Sequence, residues 1–185
     1  MLTYWVGCGA TGVLFVVTVV LVRMDYQSGE KLSGTTVAVV WAAYLVHSAV
    51  TGWFAFAAPV GRLAFDATTA HLVGAFFAGF GTAIALDAIA TFASIERMSG
   101  LETDELITEG IYRYSRNPQN IGWGLALLGI AVAGRSPAAI ALVGLFALVI
   151  HGYLVWLEEP HLEKLFGNKY RQYREQTPRY LGRPK

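Results

Sequence analysis

Reactive side chains gather in two pieces of the chain, Leu106–Pro118 and Leu157–Tyr173. In the first, Asn117 followed by Pro118 suits the start of a helix. Asparagine can cap free backbone N–H groups, and proline fits the first helical position. Such a terminus, with its unpaired donors and positive dipole end, binds carboxylate or phosphate, and Arg113 and Arg116 add formal charge beside it. Ordinary capping next to arginines held at a membrane surface would use the same residues. In the second piece, Glu158 and Glu159 stand where an apolar run ends. Two acids at a helix C-terminus oppose the helix dipole, so they call for a cationic ligand or an arginine partner. Adjacent helical residues point about 100° apart, which assigns the two acids to different contacts.

Three more polar residues lie within apolar runs. Asp87 is the one acid well inside a span, where an ionised carboxylate costs at least about 2.5–3.5 kcal/mol unless water, a partner or a proton relieves it. His151 falls two turns before Glu158 on nearly the same stripe, and His47 lies within another run. Asp87 and His151 are candidate proton acceptors, and helix packing is the alternative use of all three. Ahead of Asp87, Gly79 and Gly81 flank Phe80, and close glycines let a second backbone or a ligand approach a helix.

The elements that must position these residues follow from hydropathy. At about 1.5 Å per residue, crossing a hydrocarbon core of about 30 Å takes roughly 20 apolar residues. Five segments approach that length: about 2–22, 36–57, 71–94, 119–133 and 137–157. The fourth is short, and Gly134-Arg135-Ser136-Pro137 joins it to the fifth as a helical hairpin. Beyond it, Leu162, Leu165, Phe166, Tyr170 and Tyr173 recur at three- and four-residue intervals with Lys164, Lys169, Arg171 and Arg174 between them. That pattern predicts an amphipathic helix lying along the membrane surface. The predicted fold class is therefore all-α: one polytopic membrane domain over residues 1–185, with three spans in 1–95, a connector at 96–118, a hairpin at 119–157 and a tail at 158–185.

Basic residues orient these spans. With the N-terminus outside, twelve of the 14 Lys and Arg residues, Arg97 and Lys185 among them, fall on the cytoplasmic side; only Arg62 and Arg135 do not. Both reactive pieces then face the cytoplasm. No basic residue precedes the first apolar run, which reads as a retained span rather than a cleaved signal. Apolar residues make up 55% of the chain and charged residues 15%, far below the roughly 25% of soluble domains. A net charge of +1 gives no reason to expect a nucleic-acid partner. The single cysteine, Cys8, excludes an intrachain disulfide and a thiolate metal site.

The two reactive pieces also carry a resemblance. Gly110-Ile111-Tyr112, Arg116-Asn117-Pro118, Gly122, Glu158-Glu159-Pro160 and Phe166-Gly167 with Tyr170 and Tyr173 follow one another in the order seen in the integral membrane methyltransferases. That family includes the isoprenylcysteine carboxyl methyltransferases and the phospholipid N-methyltransferases. Asn117 resembles the phospholipid branch, and Asn120 stands where most members carry tyrosine. The resemblance implies S-adenosyl-L-methionine as cofactor and methyl transfer to a lipophilic or membrane-associated acceptor: a phospholipid amine, a prenylcysteine-like carboxylate or a small thiol. It implies cofactor contacts at Gly79, Gly81, Tyr112, Arg116, Asn117, Pro118, Glu158 and Glu159. Arg116, Asn117, Asp87 and His151 are the candidates for the chemistry, and membrane lipids are the expected partners. Membrane sterol reductases, which use NADPH, share the turn and the aromatic tail, and a non-catalytic scaffold of the same fold is a further alternative.

Overall fold

The computed structural model describes residues 2–29, 31–57, 60–92, 100–102 and 104–184. Ser94, Arg97 and Lys185, used above in placing and orienting the spans, lie outside them. Every regular element among the described residues is helical. In chain order these are α1 (Leu2–Ser28), α2 (Gly34–Gly52) running into a π-turn (Trp53–Ala57), and α3 (Ala67–Thr91). A short 3₁₀ turn (Gly110–Arg113) leads to α4 (Pro118–Ala133) and α5 (Pro137–Tyr153). A second π-turn (Leu154–Glu158) joins α5 to α6 (Glu159–Phe166), and α7 (Asn168–Gln176) follows. Helices starting from α1, α2, α3 and α5 are long and apolar enough to cross a membrane, and α4 is a shorter apolar helix. At 16 residues α4 reaches only about 24 Å, short of the hydrocarbon thickness, and it leans on its neighbours.

That support comes from α3. Gly74, Ala78, Gly81 and Ala85 on α3 face Gly122, Ala126, Gly129 and Ala133 on α4, small residues at matching four- and three-residue steps on two antiparallel helices. A Cβ placed on Gly81 would lie 2.5 Å from both Ala126 N and Gly122 O, so backbone fills the space a side chain would need. In lipid this close van der Waals contact supplies most of the attraction between spans. Gly81 therefore packs against α4 and cannot receive a cofactor, and Gly79 faces outward with nothing within 4 Å of its Cβ position. Both glycines leave the cofactor-binding set. Accordingly, Gly81→Ala should cost about 1–3 kcal/mol through overpacking. Gly79→Ala should be neutral or stabilising by up to about 1 kcal/mol through helix propensity. Thermal unfolding of the two variants in the same detergent checks the contrast.

Helices α1, α2, α4 and α5 meet around Phe15, Ala43, Leu127, Phe146, Ile150 and Leu154. His47 is fully buried here, its ring between Phe15 and Phe146 at centroid distances of 5.3 and 5.6 Å. Its place is in the helix packing. At the opposite end from the tail, the α4–α5 connection is sealed by Gly134 against Ala55, with Arg135 at φ 51° donating from Nη1 to Phe65 O.

Two expectations about the tail need correction. Glu158 and Glu159 do not end a helix, because the chain continues through the π-turn into α6. Pro160 explains the π-turn. It has no N–H for the carbonyl four residues back, and its ring would collide with that carbonyl. The helix widens instead, and Glu159 N–H bonds to Leu154 O, five residues back. The surface helix also breaks in two at Gly167, whose φ of 56° suits glycine. Its first half extends the last span, and only α7 turns away.

Candidate active site at the tail end of the bundle

A cavity of about 260 Å³ opens where α1, α2, the 110–117 turn, α4 and the α5–α6 helix converge. Five of the ten candidate site residues line it: Tyr112, Arg116, Asn117, Glu158 and Glu159. The two acids have separate duties, as their angular offset requires. Glu159 is committed to the protein: Arg179 grips it with two bonds, Nε to Oε1 at 2.6 Å and Nη2 to Oε2 at 2.9 Å. Arg116 Nη1 adds an ion pair at 3.0 Å. The carboxylate in turn holds the Arg179 guanidinium above its ordinary pKa, chiefly through that hydrogen bond. Glu158 makes no ion-pair contact among the described residues, and its carboxyl meets the Tyr153 hydroxyl in the cavity wall.

Arg116 is nearly buried and lies across the cavity's polar rim. Its Nη1 also donates to the Tyr170 hydroxyl at 3.0 Å, while its Nε finds no partner among the described residues. Burial, with the nearby Glu159 charge, pushes the Tyr170 hydroxyl up to about 12, so it stays protonated. Arg113 is exposed and does not line the cavity.

Asn117 works differently from a helix cap. Its side chain makes no capping bond; Nδ2 donates to Arg179 O at 3.2 Å instead. Pro118 does occupy the first helical turn, fully buried but outside the cavity lining. The tail is laced over this turn. Arg116 N donates to Pro178 O at 3.0 Å, Gly182 N to Tyr114 O at 3.1 Å, and the Tyr173 hydroxyl to Tyr112 O at 2.8 Å. These bonds lock the polar rim from the far end of the chain.

Asp87 and His151 lie elsewhere. On α3 the buried stripe is Ala70, Gly74, Gly81, Ala85 and Ala88, which leaves Asp87 exposed on the far flank. On α5 the buried stripe Ala139, Leu142, Phe146, Ile150 turns His151 outward, where its Nδ1 lies 2.6 Å from the Tyr180 hydroxyl. Neither lines the cavity, so neither serves the chemistry there. Residues from α1, α2 and α4 take that space. Trp41, Tyr44 and Trp123 form an aromatic wall with centroids 5.3–6.4 Å apart, and Tyr44 donates to Asn120 Oδ1 at 2.6 Å. Tyr26 from α1 stacks on His161, with centroids 3.7 Å apart and rings 4° from parallel.

This is an all-helical membrane protein with a polar-rimmed cavity at the end of its bundle, and comparison with known sequences places it further. Residues 69–169 match the phospholipid methyltransferase family. The chain is 33% identical over 72 residues to a phosphatidylethanolamine N-methyltransferase of Aspergillus fumigatus, covering 38% of this chain and 8% of that protein. A protein-S-isoprenylcysteine O-methyltransferase of Schizosaccharomyces pombe is 32% identical over 73 residues, 40% of this chain and 31% of its own length. The chain thus spans under a third of the curated relatives it matches. No solved structure matches it. With more than half its residues inside the family match, the chain belongs to the phospholipid methyltransferase family.

Proposed function

We propose that this protein transfers a methyl group from S-adenosyl-L-methionine to a lipid or other membrane-associated acceptor. The observation that carries the reading is the meeting of opposite charges in one cavity: a half-buried Glu158 without an ion-pair contact among the described residues, and a buried Arg116 whose Nε has no partner while its Nη1 pairs with Glu159. An α-amino-acid group presents an ammonium and a carboxylate together, and these two side chains match it as charge-assisted partners. Glu158 would hold the ammonium. Arg116 would take the carboxylate, beside the N-terminal end of α4. When bound, the cofactor supplies a methyl group on a sulfonium centre. The Trp41, Tyr44 and Trp123 faces offer cation–π contact to a cationic donor or to an amine acceptor. The apolar walls keep water out, and a rigid polar rim holds donor and nucleophile in line, where orientation provides much of the acceleration.

The tail would face the cytoplasm, where this soluble cofactor is available; the twelve-to-two distribution of basic residues supports that orientation. The activities for which the relatives are named, on phosphatidylethanolamine nitrogen and on isoprenylcysteine oxygen, bracket the acceptor class.

Titration of the purified protein with S-adenosyl-L-methionine and, separately, NADPH tests the cofactor. A parallel assay follows labelled methyl into vesicles containing phosphatidylethanolamine. Binding of the first cofactor and label in the lipid fraction are expected. NADPH binding without S-adenosyl-L-methionine binding would overturn the reading in favour of a reductase. A folded protein that binds neither and transfers nothing would be a scaffold.

A further inference from the structure

Outside the bundle, α4 and α5 do not close on each other along their length. Gly124 and Gly144 leave a groove between them, floored by Phe146 and flanked by Leu128 and Leu148. Its lining is almost wholly apolar except at the tail-bearing end, where Asn120, His151 and Tyr180 gather. Between Asn120 and Leu128 the groove runs about 12 Å along α4, close to the roughly 15 Å depth of one leaflet's hydrocarbon. Two of its lining residues, Asn120 and Ile150, also line the cavity that holds Glu158 and Arg116. Groove and cavity thus stand on opposite sides of one thin wall, the groove facing the bilayer.

We infer that this groove seats one acyl chain of the methyl-accepting lipid, whose headgroup passes the Asn120 wall into the cavity. The occupant follows from the surroundings. The helices lie among acyl chains, the groove is apolar over one leaflet's depth, and its polar end coincides with the level of the reactive cavity. The Tyr180 hydroxyl and the His151 ring, 2.6 Å apart, sit where the ester and phosphate oxygens of such a lipid would fall, and after the bond between them the pair keeps one donor for such an oxygen. Asn120 has its Oδ1 occupied by Tyr44, which leaves its amide group as the donor beside the passage. The inference rests on the lipid-methylation reading above, and its test separates the two.

The full-length protein is reconstituted in vesicles of phosphatidylethanolamine and phosphatidylglycerol containing phosphatidylethanolamine with a diazirine on one acyl chain. Photolysis should place adducts mainly on α4 and α5, around Leu128, Leu145 and Leu148. Gly144→Leu adds bulk to the groove from a position with open space, since nothing lies within 4 Å of its Cβ position. It should lower those adducts several-fold and raise the KM for lipid about fivefold, the worth of one or two buried methylenes. S-adenosyl-L-methionine affinity should not change. Gly79→Leu, the same change on the outer face of α3, should do neither. Adducts spread evenly over outward residues such as Leu72 and Leu86, or an unchanged pattern in Gly144→Leu, would overturn the groove. Groove adducts lost in Gly144→Leu, without any methyl transfer by the unaltered protein, would uphold the lipid seat and reject the methylation reading.

Discussion

Glu158→Gln is expected to weaken S-adenosyl-L-methionine binding by about 10- to 100-fold, the loss of one charge-assisted contact worth about 1.5–3 kcal/mol. Glutamine keeps the shape and removes the charge facing the ligand's ammonium. Stability should hardly move, because Glu158 makes no ion-pair contact among the described residues. Calorimetric titration gives the affinity, and thermal unfolding of the same preparation gives the control. Unchanged affinity would remove Glu158 from the site.

The neighbouring acid should behave in the opposite way. Glu159→Gln is expected to destabilise the fold by about 3–5 kcal/mol, the usual cost of stranding one member of a buried ion pair. The stranded member is Arg116, whose side chain is only 7% exposed; Arg179, at 31%, can still reach water. Replacing Arg116 with methionine in the same chain should recover much of the loss, since no buried charge is then left uncompensated, while cofactor binding falls with the loss of Arg116. Unfolding midpoints of the single and double variants decide this. An unshifted midpoint in Glu159→Gln would show that the cluster does not hold the tail.

The contrast between two adjacent glutamates shows what could be read from the chain and what could not. Four of the five expected spans and the hairpin follow from apolar run length and the Gly134–Pro137 break, which are local properties, while the remaining segment forms the shorter helix α4. The two reactive pieces were also visible, because charge at the end of an apolar run stands out. What failed was phase. A helix apolar on all sides carries no periodic signal of which face turns inward, so Gly79, Asp87 and His151 were expected at the site while Tyr44 and Trp41, which line the cavity, went unmarked. Gly81 does face inward, yet what it meets is a second backbone, and only the matching glycines on α4 reveal that. Asn117 was misread because its partner, Arg179 O, lies 62 residues away. Arg179 itself stood in a strongly basic tail where nothing marked it out. Glu159's commitment to it, and therefore Glu158's freedom, depends on that long-range contact.

The widened turn at Leu154–Glu158 has a consequence for how such a chain can vary. It inserts a phase offset between the lipid-facing part of the last long helix and the part that faces the cavity. Because that turn absorbs one extra residue, removing a residue there would let the helix close to regular pitch with everything downstream left in its present orientation. Closing the turn at constant length would instead rotate the downstream part by about 100° and bring Glu158 to the side where Glu159 is now gripped by arginine. The turn itself, more than the chemistry of either side chain, decides which carboxylate is offered to the cavity.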